Sequence, residues 1–167
     1  AGGRAVITSD DHPSGSDRVF EALQIIDPNA SFETILNLQG DPPEMDPYIP
    51  EALVTALDRS GADLATLVTP ATAEEAVRPQ VVKAAIAWDN GCDQPATNGN
   101  RFGTALYFSR APIPAGATEY NHHVGVYGWR RSALSAFVRL PPSPLELTEK
   151  LEQLRALEAG MTIAVAQ

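Results

Sequence analysis

Hydrophobic and polar positions alternate between strand-like runs and helix-like stripes. Ala5 to Thr8 is a short apolar run with the length of a strand. A polar loop, Ser9 to Ser16, leads into a helix whose inward stripe is Val19, Leu23 and Ile26, and Asp27-Pro28-Asn29 ends it. Ile35, Leu36 and Leu38 form the next strand, which Gly40, Pro42 and Pro43 stop at once. Asp46-Pro47-Tyr48-Ile49-Pro50 opens a helix with Ile49, Leu53 and Leu57 at four-residue spacing, closed by Gly61. Ala62 to Val68 reads as a strand. Thr72 and Glu75 have capping-box spacing for a short helix, and Val81 to Trp88 is apolar apart from Lys83.

Asp89 to Gly103 is a Gly, Asn, Asp and Pro-rich loop. Ala105 to Ser109 is a strand ending in Arg110, and a second loop, Ala111 to Asn121, leads to a strand over Val124 to Trp129. Ser132 stands where a cap belongs, before a helix bearing Leu134, Phe137 and Val138. After Pro141-Pro142, the run Ser143-Pro144-Leu145-Glu146 starts a helix: a cap, proline at the first position, glutamate at the third. The pattern predicts one helix from there to Ala159, ended by Gly160, and a closing strand over Thr162 to Ala166. Strands alternate with helices, which predicts an α/β domain with a mostly parallel sheet and helices on its faces. No repeat or linker divides the chain, so residues 1–167 read as one domain.

Composition narrows the function. An apolar fraction of 44% with 20% charged residues belongs to an ordered globular chain. A net charge of −9 leaves no basic footprint for duplex nucleic acid, so a nucleotide would need local arginines, a metal and backbone amides. No apolar run is long enough to span a bilayer. The single cysteine, Cys92, precludes an internal disulfide and points to a reducing compartment. The chain opens on Ala1 and closes on a strand, which raises the expectation of a further piece at each end.

Candidate chemistry sits where strands and helices begin or end. Asp41 follows the Ile35–Leu38 strand, either as a carboxylate for a hard divalent cation or as a turn former before proline. Arg110 ends a strand at a loop and suits a carboxylate ligand or a structural ion pair. His123 and Tyr127 are four apart in extended chain and point to one side, as ligand contacts or as core residues. Glu149, Glu152 and Gln153 lie opposite an apolar stripe of Leu147, Leu151 and Leu154, on either a solvated face or one that binds a hydroxyl-rich ligand. His12-Pro13-Ser14-Gly15-Ser16 offers amides and hydroxyls to an anion or base, or simply caps a helix. No Gly-rich phosphate loop of the Walker or dinucleotide type is present, and no nucleophilic triad stands out.

Taken together, these stretches resemble the 3-deoxy-manno-octulosonate (Kdo) cytidylyltransferase family, the CMP-Kdo synthetases. The matching segments are Asp11 to Arg18, Asn37 to Asp41, Ala105 to Pro114, His123 to Gly128, Pro142 to Glu146, Leu151 to Arg155 and Val165 to Gln167, in the family's order. The resemblance implies a Rossmann-like nucleotidyltransferase (nucleotide-diphospho-sugar transferase) fold in a cytoplasmic homodimer. It also implies a magnesium-dependent reaction of CTP with Kdo, giving CMP-Kdo and pyrophosphate for lipopolysaccharide synthesis. By position, Asp41 is implied as the magnesium ligand and Gln39 as a contact at the reaction centre. Ser14, Gly15 and Arg18 are implied on the cytidine side. Arg110 is implied for the Kdo carboxylate, with His123, Tyr127, Glu149 and Gln153 for its hydroxyls. The family's opening strand and Arg-Leu-Pro-Gly-Lys triphosphate loop are not in this sequence, nor is the segment after the last strand, and Pro42 stands where Glu is common. A polypeptide of these residues alone is therefore expected not to turn over, while the intact parent enzyme does. The alternatives are a cytidylyltransferase for another sugar acid such as a sialic acid, and a non-catalytic binding or dimerisation module.

Overall fold

The fold was analysed in a computed structural model, which describes residues 3–38, 46–89 and 101–167. Within them the elements run α1 (Gly15–Ile26), β1 (Thr34–Asn37), α2 (Tyr48–Ser60), β2 (Leu64–Ala71), α3 (Ala73–Ala76), β3 (Lys83–Trp88), β4 (Phe102–Ser109), β5 (Tyr120–Arg130), α4 (Arg131–Phe137), α5 (Pro144–Glu149), α6 (Gln153–Glu158) and β6 (Ile163–Ala166). Local signals set several ends. Ser14 accepts a hydrogen bond from Asp17 N–H to start α1, and Thr72 with Glu75 forms the capping box of α3. Gly61 closes α2 at φ 67°, a conformation that glycine adopts without steric cost.

The sheet is mixed, which corrects the expectation of mostly parallel strands. Its order is β1-β5-β2-β6-β4-β3. Among the described residues, only β2 and β6 run parallel; β1–β5, β2–β5, β3–β4, β3–β5 and β4–β6 are antiparallel. The alternation of strands and helices misleads because the consecutive strands β3 and β4 pair directly with each other, antiparallel, and β5 runs antiparallel to each of its neighbours β1, β2 and β3. β5 is the organising strand. β2 lines one of its edges, while β1 and β3 share the other, β1 at Tyr127 to Arg130 and β3 at His122. His123 N–H donates to Val82 O at 2.8 Å, so β5, β2, β6, β4 and β3 close into a barrel-like ring.

Helices do cover both faces. Leu53, Ala56 and Leu57 of α2 pack over Ala65, Leu67, Val126 and Ala164. A Cβ on Gly128 would meet Leu57, Leu36 and Leu53 at 3.2–3.3 Å, so the missing side chain lets α2 sit close. On the other face Leu23, Trp129, Leu134, Phe137, Leu151 and Leu154 join one core.

Three further expectations change. Ala5 to Thr8 forms no strand, and Ile7 is 96% exposed. The segment lies instead along α1, held by Ser9 N–H to Glu21 and Arg18 to Thr8 Oγ1. The helix α4 begins at Arg131 with no side-chain cap, so Ser132 lies inside it. The predicted helix to Ala159 is two helices, because Lys150 takes a left-handed φ of 58°. Its carbonyl and that of Glu149 turn outward to meet Arg110.

Candidate functional site

The end of β4, the face of β5 and the α5–α6 break converge. Arg110 is held almost entirely by backbone. Its Nε donates to Glu149 O at 2.8 Å, Nη1 to Pro79 O at 2.9 Å and Nη2 to Lys150 O at 3.3 Å. Its own N–H donates to Glu149 Oε2 at 2.9 Å, and Ser109 Oγ donates to Glu149 Oε1 at 2.6 Å. Its carbonyl accepts from the buried Lys83 ammonium, which Arg78 O and Val81 O also hold. Arg110 forms none of the ion pairs found among the described residues. The guanidinium is thus fixed in place with its charge unneutralised, a state suited to an incoming carboxylate or phosphate.

From the same α5–α6 break, Gln153 of α6 joins a line of neutral groups on β5. The rings of His123 and Tyr127 stand 5.6 Å apart, on the shared side their spacing predicts. Tyr127 O–H donates to Gln153 Oε1 at 3.2 Å, and Gln153 Nε2 lies 3.5 Å from His123 Nδ1. Burial, helped by His122, pushes the His123 pKa down to about 3, so the ring is neutral. Burial and the nearby Glu152 push the Tyr127 hydroxyl above its usual range, so it keeps its proton.

Glu152 is the group that sequence reasoning undervalued. Its Oε1 and Trp129 Nε1 are both buried with no hydrogen-bond partner among the described residues. Both residues line one small cleft with Ser16, Tyr127, Phe137 and Gln153. The cleft is too tight to admit a water-sized group, so the unsatisfied donor and acceptor mark a polar strain beside the Tyr127–Gln153 pair rather than an open seat for a ligand. The signal was its position next to Gln153. Assuming one continuous helix placed Glu149 and Glu152 on the same face, and the break assigns them different work. Both oxygens of Glu149 serve Ser109 and Arg110.

The residues expected on the cytidine side divide. Ser14 and Gly15 line a cavity of about 330 Å³ with Glu146, Leu147, Lys150 and Glu152, so Glu152 borders both this cavity and the small cleft. Arg18 points elsewhere, donating to Thr8 Oγ1 at 2.7 Å and Ser9 O at 3.1 Å. His12 pairs with Glu21. Gln39, Asp41 and Cys92 lie outside the described residues. Larger clefts exist, about 570 Å³ beside Asp27 and Arg131 and about 630 Å³ beside Trp88 and Arg101. Neither contains a predicted site residue, and Arg131 is already paired with Asp27. Convergent polar groups decide for the smaller cavity over size alone.

The cytidylyltransferase family model matches residues 1–163. The chain belongs to the cytidylyltransferase family. Among the family's curated members, the 3-deoxy-manno-octulosonate cytidylyltransferase of Paramagnetospirillum magneticum is 51% identical over 166 residues, covering 99% of this chain and 64% of that protein. The enzyme of the same name from Parvibaculum lavamentivorans is 52% identical over 167 residues, covering 99% and 61%. This cytidylyltransferase chain thus spans a little over three fifths of those relatives. A solved structure of CMP:2-keto-3-deoxy-manno-octonic acid synthetase complexed with CTP superposes with a TM-score of 0.81 at 35% identity, covering 98% of this chain and 63% of that one.

Proposed function

We propose that this chain is the greater part of an enzyme that transfers CMP from CTP to the anomeric hydroxyl of Kdo, releasing pyrophosphate, in the cytoplasm and for lipopolysaccharide synthesis. The observation that carries the reading is the Arg110 guanidinium, without an ion pair among the described residues, held on Glu149 and Lys150 at the α5–α6 break from which Gln153 joins the His123–Tyr127 line. A fixed cation next to neutral hydroxyl-binding groups describes a receptor for a polyhydroxylated carboxylic acid. Arg110 takes the carboxylate; His123, Tyr127, Gln153 and Glu149 set the walls that receive the hydroxyls, and Glu152 joins them. Ser14 and Gly15 face the cytidine side, with Arg18 supporting the loop before α1. The fold assignment that goes with it is the Rossmann-like nucleotidyltransferase fold as one domain, in a homodimer. The relatives' names and the CTP-bound neighbour support this reading.

Among the described residues no group of three His, Cys, Asp or Glu side chains is placed to hold a metal. They make no cage for magnesium. Asp41 remains the proposed magnesium ligand, with Gln39 beside it at the reaction centre. No helix is long and apolar enough to cross a membrane among the described residues.

The test is pyrophosphate release by the full-length protein from CTP and magnesium with Kdo or a sialic acid as acceptor. Turnover with Kdo alone is expected. Preference for the sialic acid, or no turnover with either, overturns the reading.

A further inference from the structure

Thr66 is fully buried on β2, where the pairing with β5 shifts register. Thr66 faces Tyr127, but Leu67 faces Val124. The shift is a bulge, a device that re-aims groups near functional sites. Here it brings two β5 carbonyls to one hydroxyl: Thr66 Oγ1 lies 2.8 Å from Val126 O and 3.2 Å from Val124 O. It also lies 2.9 Å from His123 Nε2.

A hydroxyl has one proton, and carbonyls only accept. The Thr66 proton therefore goes to Val126 O, and toward His123 the hydroxyl offers a lone pair. His123 Nε2 must then carry hydrogen. The ring is neutral, so Nδ1 is bare and accepts from Gln153 Nε2–H. The Gln153 amide is thereby oriented, and its Oε1 accepts from Tyr127 O–H. The opposite sense, with Nδ1–H donating to a flipped amide, would leave Nε2 and the Thr66 oxygen lone pair facing each other.

We propose that Thr66 is a positioning residue: it holds His123 as the Nε2–H tautomer and so sets the donor–acceptor direction of the whole His123–Gln153–Tyr127 line. With that direction set, the Tyr127 oxygen presents lone pairs to a ligand and the second Gln153 N–H stays available to donate. A pocket running the other way would present the reverse pattern. Specificity for the hydroxyl arrangement of a sugar acid thus begins at a threonine that lies behind the histidine. The inference rests on the sugar-acid reading of this pocket for its effect on substrate, but not for the tautomer itself.

The test uses the full-length protein labelled with 15N at histidine, and correlation spectra that distinguish protonated from bare ring nitrogens. Wild type and Thr66→Ser are expected to show His123 with hydrogen on Nε2. Thr66→Val is expected to lose that preference and to raise the KM for the sugar acid about tenfold, with the KM for CTP unchanged and Thr66→Ser within about threefold of wild type, the loss of roughly one hydrogen bond. Hydrogen on Nδ1 in wild type overturns the proposal without any variant, as does an unchanged tautomer in Thr66→Val. A shifted tautomer with an unchanged sugar-acid KM overturns the pocket reading and the specificity effect, and leaves the tautomer assignment standing.

Discussion

Arg110 and Arg131 are both pinned arginines, and they are pinned by opposite means. Arg131 meets a carboxylate: its Nη2 lies 2.5 Å from Asp27 Oδ2, and its Nε donates to Phe32 O at 2.8 Å. Asp27 in turn accepts from the N–H groups of Phe32 and Ser31. The cluster ties the end of α1, the approach to β1 and the start of α4, and its charges cancel. The Arg110 guanidinium meets only carbonyls among the described residues, so its position is fixed while its charge stays available. The contrast separates a charge that holds a fold together from one that, on the proposed function, is kept for a ligand.

The largest test removes the available charge. Arg110→Ala should lower kcat/KM for the sugar acid by roughly 10²–10³-fold while the KM for CTP moves less than about twofold, as expected for truncating one partner of a desolvated charge pair. Arg110→Lys should recover only part of this, because an ammonium cannot reproduce the planar fork. Pyrophosphate release reads both. If Arg110→Ala instead lowers melting temperature and spares activity, Arg110 belongs with Arg131.

Arg131→Ala should do the reverse. Melting temperature should fall by about 5–10 °C, with specific activity unchanged well below the melt. Differential scanning calorimetry beside the same assay decides it.

Proton linkage separates the regions by pH window. Two backbone N–H groups, then Arg131, hold Asp27 down to about 2 from 3.8. Its stabilisation is present above about pH 4 and is lost as pH falls through about 2. His123 is held down to about 3 from 6.5 by burial. Below pH 6.5 the unfolded chain binds the proton that the folded ring refuses, so stability declines from about pH 6.5 toward 3. His123→Gln should flatten the upper window and leave the lower one, and Asp27→Asn should do the opposite. Urea melts across pH 2–8 give both slopes. The smallest effect is at Lys150: glycine there relieves a left-handed conformation worth about 1 kcal/mol, raising melting temperature by about 2–4 °C.

Features fixed by near neighbours were legible in the sequence. The α2 stripe with its Gly61 stop, the α3 capping box and the His123–Tyr127 pairing on one side all depend on spacings of a few residues. Strand direction was not legible, since it depends on which distant edge β3 and β4 find. The Lys150 break was hidden too, because lysine carries no stop signal and the left-handed turn is sustained by Arg110, 40 residues away. Glu152 and Thr66 share that difficulty: one gains meaning from the break, the other from a bulge in β2.

The carbonyls around Arg110 have a consequence for sequence drift. Every residue supplies the same main-chain oxygen, so replacing the side chain at Pro79, Glu149 or Lys150 deletes none of the three acceptors. Only a change in the path of the chain can move them. The cradle is therefore encoded by geometry that many sequences can write, and the identity that must be kept is that of the arginine it holds.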